Sequence, residues 1–279
     1  MSLDQGPEQS LLGRATEYRS DYAPELLFPI PRRQKREELG LVASALPFSG
    51  EDVWNAYEIS WLNPRGKPQV AIGSFHVPAA SPCLIESKSL KLYLNSFNQS
   101  AFADIPAVEA CIAADLTRAA GAPVRVMLQA VSACTGRDFT RPRGICLDEQ
   151  EIEVRHYEPA PGLLHAQGDT LREDELLYSH LLKSNCLVTG QPDWGSVYVR
   201  YSGAAIDQEA LLRYVISFRQ HNEFHEQCVE RIYCDILARC KPTRLAVWAR
   251  YTRRGGLDIN PFRTSDAAWE MTNVFDVRQ

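Results

Sequence analysis

The chain has 279 residues, of which 45% are hydrophobic and 23% charged, which predicts a folded protein of roughly two domains and excludes global disorder. Its formal net charge of -5 argues against a broad basic surface for nucleic acid. No apolar run approaches the ~20 residues of a membrane-spanning helix, and no basic start precedes an apolar segment, so we expect a cytoplasmic protein.

Residues 1–50 are predicted to form an N-terminal arm. Pro24, Pro29 and Pro31 interrupt it, and a basic run over 32–36 ends it. Runs of like charge usually face solvent, so we expect this arm to be a solvated surface segment.

A first folded unit is predicted over 51–146. Alternating apolar and polar residues indicate two strands joined by a Pro- and Gly-containing turn. Apolar residues at helical spacing then indicate a helix that Gly121 stops, and a further strand follows it. The predicted strands cover 54–61, 70–76 and 122–131, and the predicted helix covers 107–120.

The second unit is predicted over 179–279, after a linker at 147–178 that is rich in Glu, Asp, Pro and Gly. The order of elements in this unit repeats that of the first, and Asp207 is the expected cap of its first helix. The predicted strands cover 194–201, 244–252 and 257–262, and the predicted helices cover 207–219 and 224–240.

An internal duplication supports the two units. Residues 86–99 align with 207–220, and one extra residue in the second half also aligns Phe102 with Phe224. The matched pairs are Leu90 with Leu211, Tyr93 with Tyr214, Ser96 with Ser217, Phe97 with Phe218, and Gln99 with Gln220. The alignment predicts two β-β-α-α-β-β units, each an antiparallel four-stranded sheet with two helices on one face, which is an α+β fold. Because each copy keeps polar residues that the other lacks, we infer one composite site.

The eight cysteines are expected to be reduced, because no export signal is evident and none forms a C-x-x-C pair. Cys228, Cys234 and Cys240 recur every six residues, so they share no helical face. His221 and His225 have the spacing of a zinc-protease helix, but Asn222 stands where that motif needs Glu. We therefore expect no metal.

A Gly- and Pro-containing turn before a predicted strand carries Cys186 and Asp193. An exposed loop cysteine with a nearby base can react as a thiolate, and a desolvated Asp193 can donate a proton. The alternative is an ordinary turn beside an incidental cysteine.

Two basic segments suit a phosphate-bearing ligand. Residues 86–91 offer a carboxylate, two hydroxyls and two lysines, and residues 253–256 form a basic, Gly-containing turn. The alternative for residues 86–91 is a strand or turn edge whose lysines only face solvent. No G-x-G-x-x-G motif follows a predicted strand, so the dinucleotide fold of ordinary dehydrogenases is not expected.

Taken together, Glu86-Ser87-Lys88-Ser89-Leu90-Lys91-Leu92-Tyr93, the segment 186–193 and Phe224-His225-Glu226 resemble the NADPH-dependent 7-cyano-7-deazaguanine reductases. Thr16-Glu17-Tyr18 and residues 27–32 also resemble the longer members of this family. The resemblance implies two tandem tunnelling-fold (T-fold) units in one chain, with the E-S-K-S-x-K-x-Y motif in the first and the cysteine in the second.

This resemblance also implies a reaction, in which two hydrides from NADPH reduce a nitrile to a primary amine on the route to the tRNA base queuosine. Cys186 is then expected to form a covalent thioimide, with Asp193 as proton donor and His225 as proton shuttle.

The resemblance further implies the ligand contacts. Ile85, Glu86 and Ser87 are expected to line the substrate pocket, and His225 and Glu226 to orient the guanine-like edge. The cofactor contacts it implies are Ser87, Lys88, Arg254 and Gly255.

The expected partners are a free-base substrate and a second copy of the chain in a homodimer, without nucleic acid or membrane. Two other functions stay open. A zinc-dependent pterin or purine hydrolase on the same fold would bind stoichiometric metal and form no nitrile adduct. A non-catalytic deazapurine-binding protein would tolerate loss of Cys186.

Overall fold

A computed structural model describes residues 18–134 and 142–279 of a mixed α+β protein, with mostly antiparallel pairing and few helices. Thr16 and Glu17 lie outside the described residues. The described chain divides into two compact units. The first comprises residues 18–44, 51–134 and 253–259, and the second comprises 45–50, 142–252 and 260–279.

The first unit places an antiparallel sheet against two helices. Its elements are β1 (Pro29–Pro31), α1 (Arg33–Glu38), β2 (Ser49–Leu62), β3 (Pro68–Pro78), β4 (Cys83–Ile85), α2 (Ser87–Asn95), α3 (Ile105–Ala120) and β5 (Arg125–Ala130). The sheet runs β5-β3-β2, then residues 257–259, and β1 pairs separately with β4. Asp104 caps α3, and Gly121, with a φ of 71°, ends it where the sequence predicts. The buried aromatic core includes Trp54, Phe75, Tyr93 and Phe97.

The expectation of a solvated arm is wrong for Arg32 and Arg36. Arg32 pairs with Asp52 at 2.5 Å, and both side chains are almost fully buried. Arg36 Nη2 donates to the carbonyl of Ala79 at 2.6 Å. Buried guanidinium groups need acceptors, and here β2 and the end of β3 supply them, at positions distant in sequence.

The second unit has a larger antiparallel sheet with two helices. Its elements are β6 (Ile145–Cys146), β7 (Ala166–Asn185), β8 (Pro192–Ile206), α4 (Gln208–Ile216), α5 (His225–Cys240), β9 (Arg244–Tyr251) and β10 (Leu257–Thr264), of which the first three residues group with the first unit. The strand order in this sheet is β10-β9-β8-β7-β6, and β6 pairs with β7 in parallel.

Part of the predicted linker is a strand. β7 begins at Ala166, which pairs with Ile206, and its ladder with β8 continues through Tyr178, which pairs with Tyr198. The side chains at 171–174 are exposed, and exposed positions mostly carry polar residues. This stretch of the strand therefore resembles a linker in composition.

The duplicated helices have matching contacts. Helices α2 and α4 have nine residues each, and Glu86 and Asp207 cap them. Tyr93 donates to Asp115 at 2.8 Å, and Tyr214 donates to Asp235 at 2.5 Å. These pairs bind the first helix of each duplicate to its second helix.

The alignment of Phe102 with Phe224 is wrong. Phe224 is the N-cap of α5, whereas the N-cap of α3 is Asp104. The connection between the paired helices is thus shorter, not longer, in the second unit. Among the described residues, no helix combines the length and apolar character that a membrane crossing requires.

Candidate active site

Cys186 is the first residue of the turn that joins β7 to β8 in the second unit. Its amide donates to the carbonyl of Gln191 at 2.8 Å, and Gly190 donates back to the Cys186 carbonyl at 3.0 Å. Gly190 has a φ of 65°, which suits this tight turn. The turn holds the thiol in a buried position, with 4% of the residue exposed.

Asp193 enters β8 opposite Ser184, and the neighbouring pair is Asn185 with Pro192. Side chains directly opposite each other in a ladder project to one face, so Asp193 shares a face with Ser184, two positions before Cys186. The same end of the hairpin therefore carries a buried thiol, in its turn, and a buried carboxyl group, at the start of β8.

His225 is the first residue of α5 and completes this group. Its Nε2 lies 3.8 Å from Oδ1 of Asp193, and its ring packs edge-on against Tyr251 with centroids 4.1 Å apart. The next residue, Glu226, is also buried. The four candidate residues of the second unit thus come from the hairpin and from the start of one helix.

Three buried residues without a sequence-based assignment form the wall behind this group. They are Ser184, Cys228 and Tyr251. Burial raises the pKa of the Cys228 thiol well above its usual range, and the nearby carboxylates of Glu223 and Asp193 add to this shift. Burial likewise raises the pKa of Tyr251, to which Cys228 and Asp193 also contribute. Both groups are therefore neutral near neutral pH, which makes Cys228 a poor nucleophile.

A backbone clamp joins the cysteine hairpin to the start of α5. The amide of Asn185 donates to the His221 carbonyl at 2.8 Å, and the amide of Glu223 donates to the Asn185 carbonyl at 3.1 Å. The side chains of Asn185 and Asn222 are also hydrogen-bonded at 2.9 Å. These bonds fix residue 185 relative to α5, which begins two residues after Glu223.

A buried ion pair supports this clamp. Both guanidinium nitrogens of Arg231 that face Glu223 donate to it, at 3.0 and 2.7 Å, and His221 Nε2 lies 2.9 Å from the same carboxylate. Burial opposes ionisation of Glu223, but the contacts with His221 and Arg231 outweigh it and lower its pKa. His221 precedes α5, so it does not share a helical face with His225, contrary to the spacing argument.

In the first unit, Glu86 is the N-cap of α2. Its carboxylate accepts from the amides of Lys88 and Ser89 at 2.6 and 2.8 Å. Burial raises the pKa of Glu86, although these two amides and the nearby lysines oppose the rise. Ile85 is buried at the end of β4, and Ser87 and Lys88 lie partly exposed on the first turn of α2.

The turn at 253–256 meets the same helix. Gly255 has a φ of 59°, and a Cβ placed on it would lie 3.1 Å from Cε of Lys91. The amide of Tyr57 donates to the Gly256 carbonyl at 3.0 Å, and Arg253 lies over the Tyr57 ring at 4.0 Å. Gly255 and the lysine-bearing helix are therefore adjacent.

This part of the first unit has the chemistry that a dinucleotide phosphate group needs. Glu86 already accepts from the amides of Lys88 and Ser89, so the attraction for a phosphate comes from the two lysines Lys88 and Lys91, which lie one turn apart on α2. The glycine in the facing turn leaves the backbone accessible beside Lys91. The residues present thus fit a phosphate-bearing cofactor.

The sequence contained no local sign of Tyr251 as a support of the site, and only one weak sign of the Glu223–Arg231 pair. Tyr251 reads as one more apolar position in a strand, and its contact with His225 depends on packing between β9 and α5. Only the separation of eight positions between Glu223 and Arg231, about two helical turns, hinted at a pair.

Two family models match the chain. Residues 18–128 match the family described as "Nitrile reductase, 7-cyano-7-deazaguanine-reductase N-term", and residues 192–269 match the family described as "QueF-like protein".

Curated relatives match nearly the whole chain. A protein of Azoarcus sp. (strain BH72) is 61% identical over 98% of this chain and 97% of its own length. A protein of Aromatoleum aromaticum is 60% identical over 99% and 98%, and one of Dechloromonas aromatica is 60% identical over 97% and 95%. Each of the three is named NADPH-dependent 7-cyano-7-deazaguanine reductase.

Proposed function

The chain belongs to the NADPH-dependent 7-cyano-7-deazaguanine reductases, and from this we propose how its own residues carry the reaction. It is an oxidoreductase that uses NADPH to reduce the nitrile of 7-cyano-7-deazaguanine to the primary amine, a step towards queuosine. Each nitrile takes up two hydrides and two protons. The chain must therefore activate the nitrile carbon, deliver protons to nitrogen and exclude water.

In our proposal, Cys186 is the nucleophile. Its sulfur bonds to the nitrile carbon, one π bond of the triple bond breaks, and the nitrogen takes a proton to give a thioimide. The single observation that supports this role is the turn that buries the Cys186 thiol at the end of the hairpin that also carries Asp193. Cys228, the other buried thiol of this cluster, has a pKa raised well above its usual range and is unsuited to the task.

Asp193 and His225 move protons in this scheme. Asp193 donates to the nitrogen as negative charge develops there, and His225, 3.8 Å away, returns a proton to the carboxylate. The buried wall around them limits water, so protons are exchanged within the site.

We assign substrate recognition to His225 and Glu226 at the start of α5 and to residues 85–87. Glu226 accepts hydrogen bonds from the guanine-like edge, with His225 beside it. Ile85, Glu86 and Ser87 line the pocket for the base. Because the Glu86 carboxylate caps α2, any contact from it also depends on the start of that helix.

Ser87, Lys88, Arg254 and Gly255 hold NADPH in this proposal. Lysine and arginine supply charge-assisted contacts to its phosphates, and the glycine lets the backbone approach them. When bound, the cofactor supplies hydride to the activated carbon.

We further propose that the duplicated halves are two tandem T-fold units and that the chain is a cytoplasmic homodimer that binds no nucleic acid. The matching Tyr–Asp pairs of the helices support the duplication, and the net charge of -5 suits a free-base substrate. Sedimentation at several protein concentrations tests the dimer.

The function is tested by steady-state turnover with 7-cyano-7-deazaguanine and NADPH, with the product identified by mass. We expect two NADPH to be oxidised for each amine released. Cys186→Ala should abolish this turnover, whereas the matched control Cys134→Ser should keep it. Turnover by a folded Cys186→Ala protein at the wild-type rate would contradict the covalent route.

A further inference from the structure

Three potential metal ligands meet beside β7 of the second unit, apart from the candidate active site. The donor atoms of Cys146, Asp148 and His180 all lie within 4.8 Å of one another, and each residue is partly buried. His180 precedes Cys186 by six positions on the strand, which corresponds to roughly 20 Å of extended chain. No step of the reductase scheme uses this group.

Strand pairing brings these ligands together. β6 pairs in parallel with β7, with Cys146 opposite Tyr178, and the amide of Leu147 donates to the Tyr178 carbonyl at 2.9 Å. Cys146 and Asp148 are two positions apart, as are Tyr178 and His180. The register therefore places Asp148 level with His180, and Cys146 two positions earlier, level with Tyr178.

A β-bulge then turns His180 towards them. Between Ser179 and Leu182 the β7 register shifts, so β7 carries one residue more than β8 at this point. The His180 amide, released from the ladder, donates to Asp148 Oδ2 at 3.0 Å, and Ser179 Oγ donates to Oδ1 at 2.6 Å. Bulges of this kind re-aim a side chain and are common beside functional sites.

The ring of His180 is held as metal-binding histidines are. Its Nδ1 lies 2.7 Å from Oγ of the buried Ser196 and 3.5 Å from Oδ2 of Asp276. Both of these partners are on the Nδ1 side, and we therefore infer that Nε2 is the ligand atom. A metal-bound imidazole is usually fixed in this way through its other nitrogen.

We propose that Cys146, Asp148 and His180 form a zinc site that fastens β6 to β7. Thiolate, imidazole and carboxylate are the donors that Zn²⁺ prefers, and a water molecule would complete the tetrahedron. The ligand atoms around a tetrahedral zinc ion are about 3.5 Å apart. Small side-chain rotations would bring the donor atoms of Cys146, Asp148 and His180, now within 4.8 Å of one another, to that distance. Binding releases the thiol proton of Cys146 and involves no redox step.

Cobalt titration of the chelator-treated, full-length protein tests this site, because Co²⁺ replaces Zn²⁺ and absorbs strongly when bound to thiolate. We expect one equivalent of Co²⁺ per chain, a thiolate-to-cobalt band, and its displacement by Zn²⁺. The band should be absent in Cys146→Ser and present in both Cys134→Ser and Cys186→Ala. His180→Gln should weaken zinc binding at least tenfold, and Ser196→Ala about 10–100-fold.

Several results would overturn the site. These are the absence of a thiolate band at stoichiometric Co²⁺, a band that survives in Cys146→Ser, and a band that is lost in Cys186→Ala. Far-UV circular dichroism checks that each variant is folded. If Cys146→Ser does not fold, Asp148→Asn replaces it and should weaken Co²⁺ binding at least tenfold, and unchanged binding would overturn the site.

Discussion

Nε2 of His225 lies 3.8 Å from Oδ1 of Asp193, which is within ion-pair distance but too long for a hydrogen bond. The hairpin holds Asp193, and the start of α5 holds His225, so the separation depends on how these elements pack. A substrate nitrogen or a single water molecule between the two groups would connect them. We therefore infer that they act as a pair on one proton path.

Asp193→Asn keeps the shape of the side chain and replaces the carboxyl group with an amide that cannot act as an acid. Loss of a positioned proton donor costs about 10²–10⁴ in rate, so kcat should fall by that amount while KM for the base changes little. NADPH oxidation measured over a range of substrate concentrations separates these two parameters. Asp21→Asn, at an exposed aspartate, is the control, and a kcat for Asp193→Asn equal to that of the control would contradict the role.

Tyr251 supports His225 through its ring and not through its hydroxyl. Among the described residues its buried Oη has no partner at normal hydrogen-bond geometry, although Ser184 and Cys228 are nearby, whereas the ring lies against the imidazole. Tyr251→Phe should change the free energy of unfolding by less than about 1 kcal/mol and keep activity, since the hydroxyl that it removes makes no such hydrogen bond within the described residues. Tyr251→Ala should cost about 3–5 kcal/mol and lower kcat. Urea unfolding and turnover of both variants check this, and equal losses in the two would show that the hydroxyl matters.

The lowered pKa of Glu223 predicts a pH dependence of stability. A carboxyl group whose folded pKa lies below its unfolded value contributes stability above the unfolded pKa, about 4.3, and loses it as pH falls through the folded value. Glu223→Gln should therefore be destabilised most near neutral pH, and its deficit should shrink in acid. Urea unfolding between pH 7 and pH 3 measures this difference.

Glu209→Gln is the control for that experiment. Glu209 forms an exposed pair with Arg213, and such pairs contribute about 0–1 kcal/mol. Its deficit should be small at every pH. A Glu223→Gln deficit that stays constant down to pH 3 would rule out the proposed linkage.

Gly255→Ala tests the cofactor turn. Its φ of 59° strains any other residue, and the added Cβ would press on Lys91. Gly66 has a φ of 75°, so alanine there is under the same backbone strain, but no atom lies within 4 Å of the added Cβ. Both alanine variants should lose about 1–2 kcal/mol of stability, but only Gly255→Ala should raise KM for NADPH. A rise of the same size in Gly66→Ala would remove Gly255 from the cofactor site.

Much of the fold was predictable because its signals are local. Periodicity and caps predicted α3 and α5, and Asp207 and Gly121 mark helix ends as expected. The buried state of Arg32 and Arg36 was not predictable, because their acceptors are remote in sequence.

For the candidate site, the Gly and Pro residues predicted the turn that carries Cys186, but the strand before it, β7, was not predicted, because part of it has the composition of a linker. The contact of Tyr251 with His225 and the bulge at His180 arise from pairing and packing between elements, which residue spacing does not record. The catalytic and binding roles themselves stay predictions.

The central claim is a bond between Cys186 and the nitrile carbon, and intact-protein mass tests it most directly. After mixing with 7-cyano-7-deazaguanine, the wild-type chain should gain the mass of one substrate molecule, and NADPH should remove it with release of the amine. Cys134→Ser should behave as wild type, and Cys186→Ala should gain nothing. A substrate-saturated, folded wild-type chain that reduces the nitrile without ever showing the adduct, or an adduct that persists in Cys186→Ala, would contradict the account.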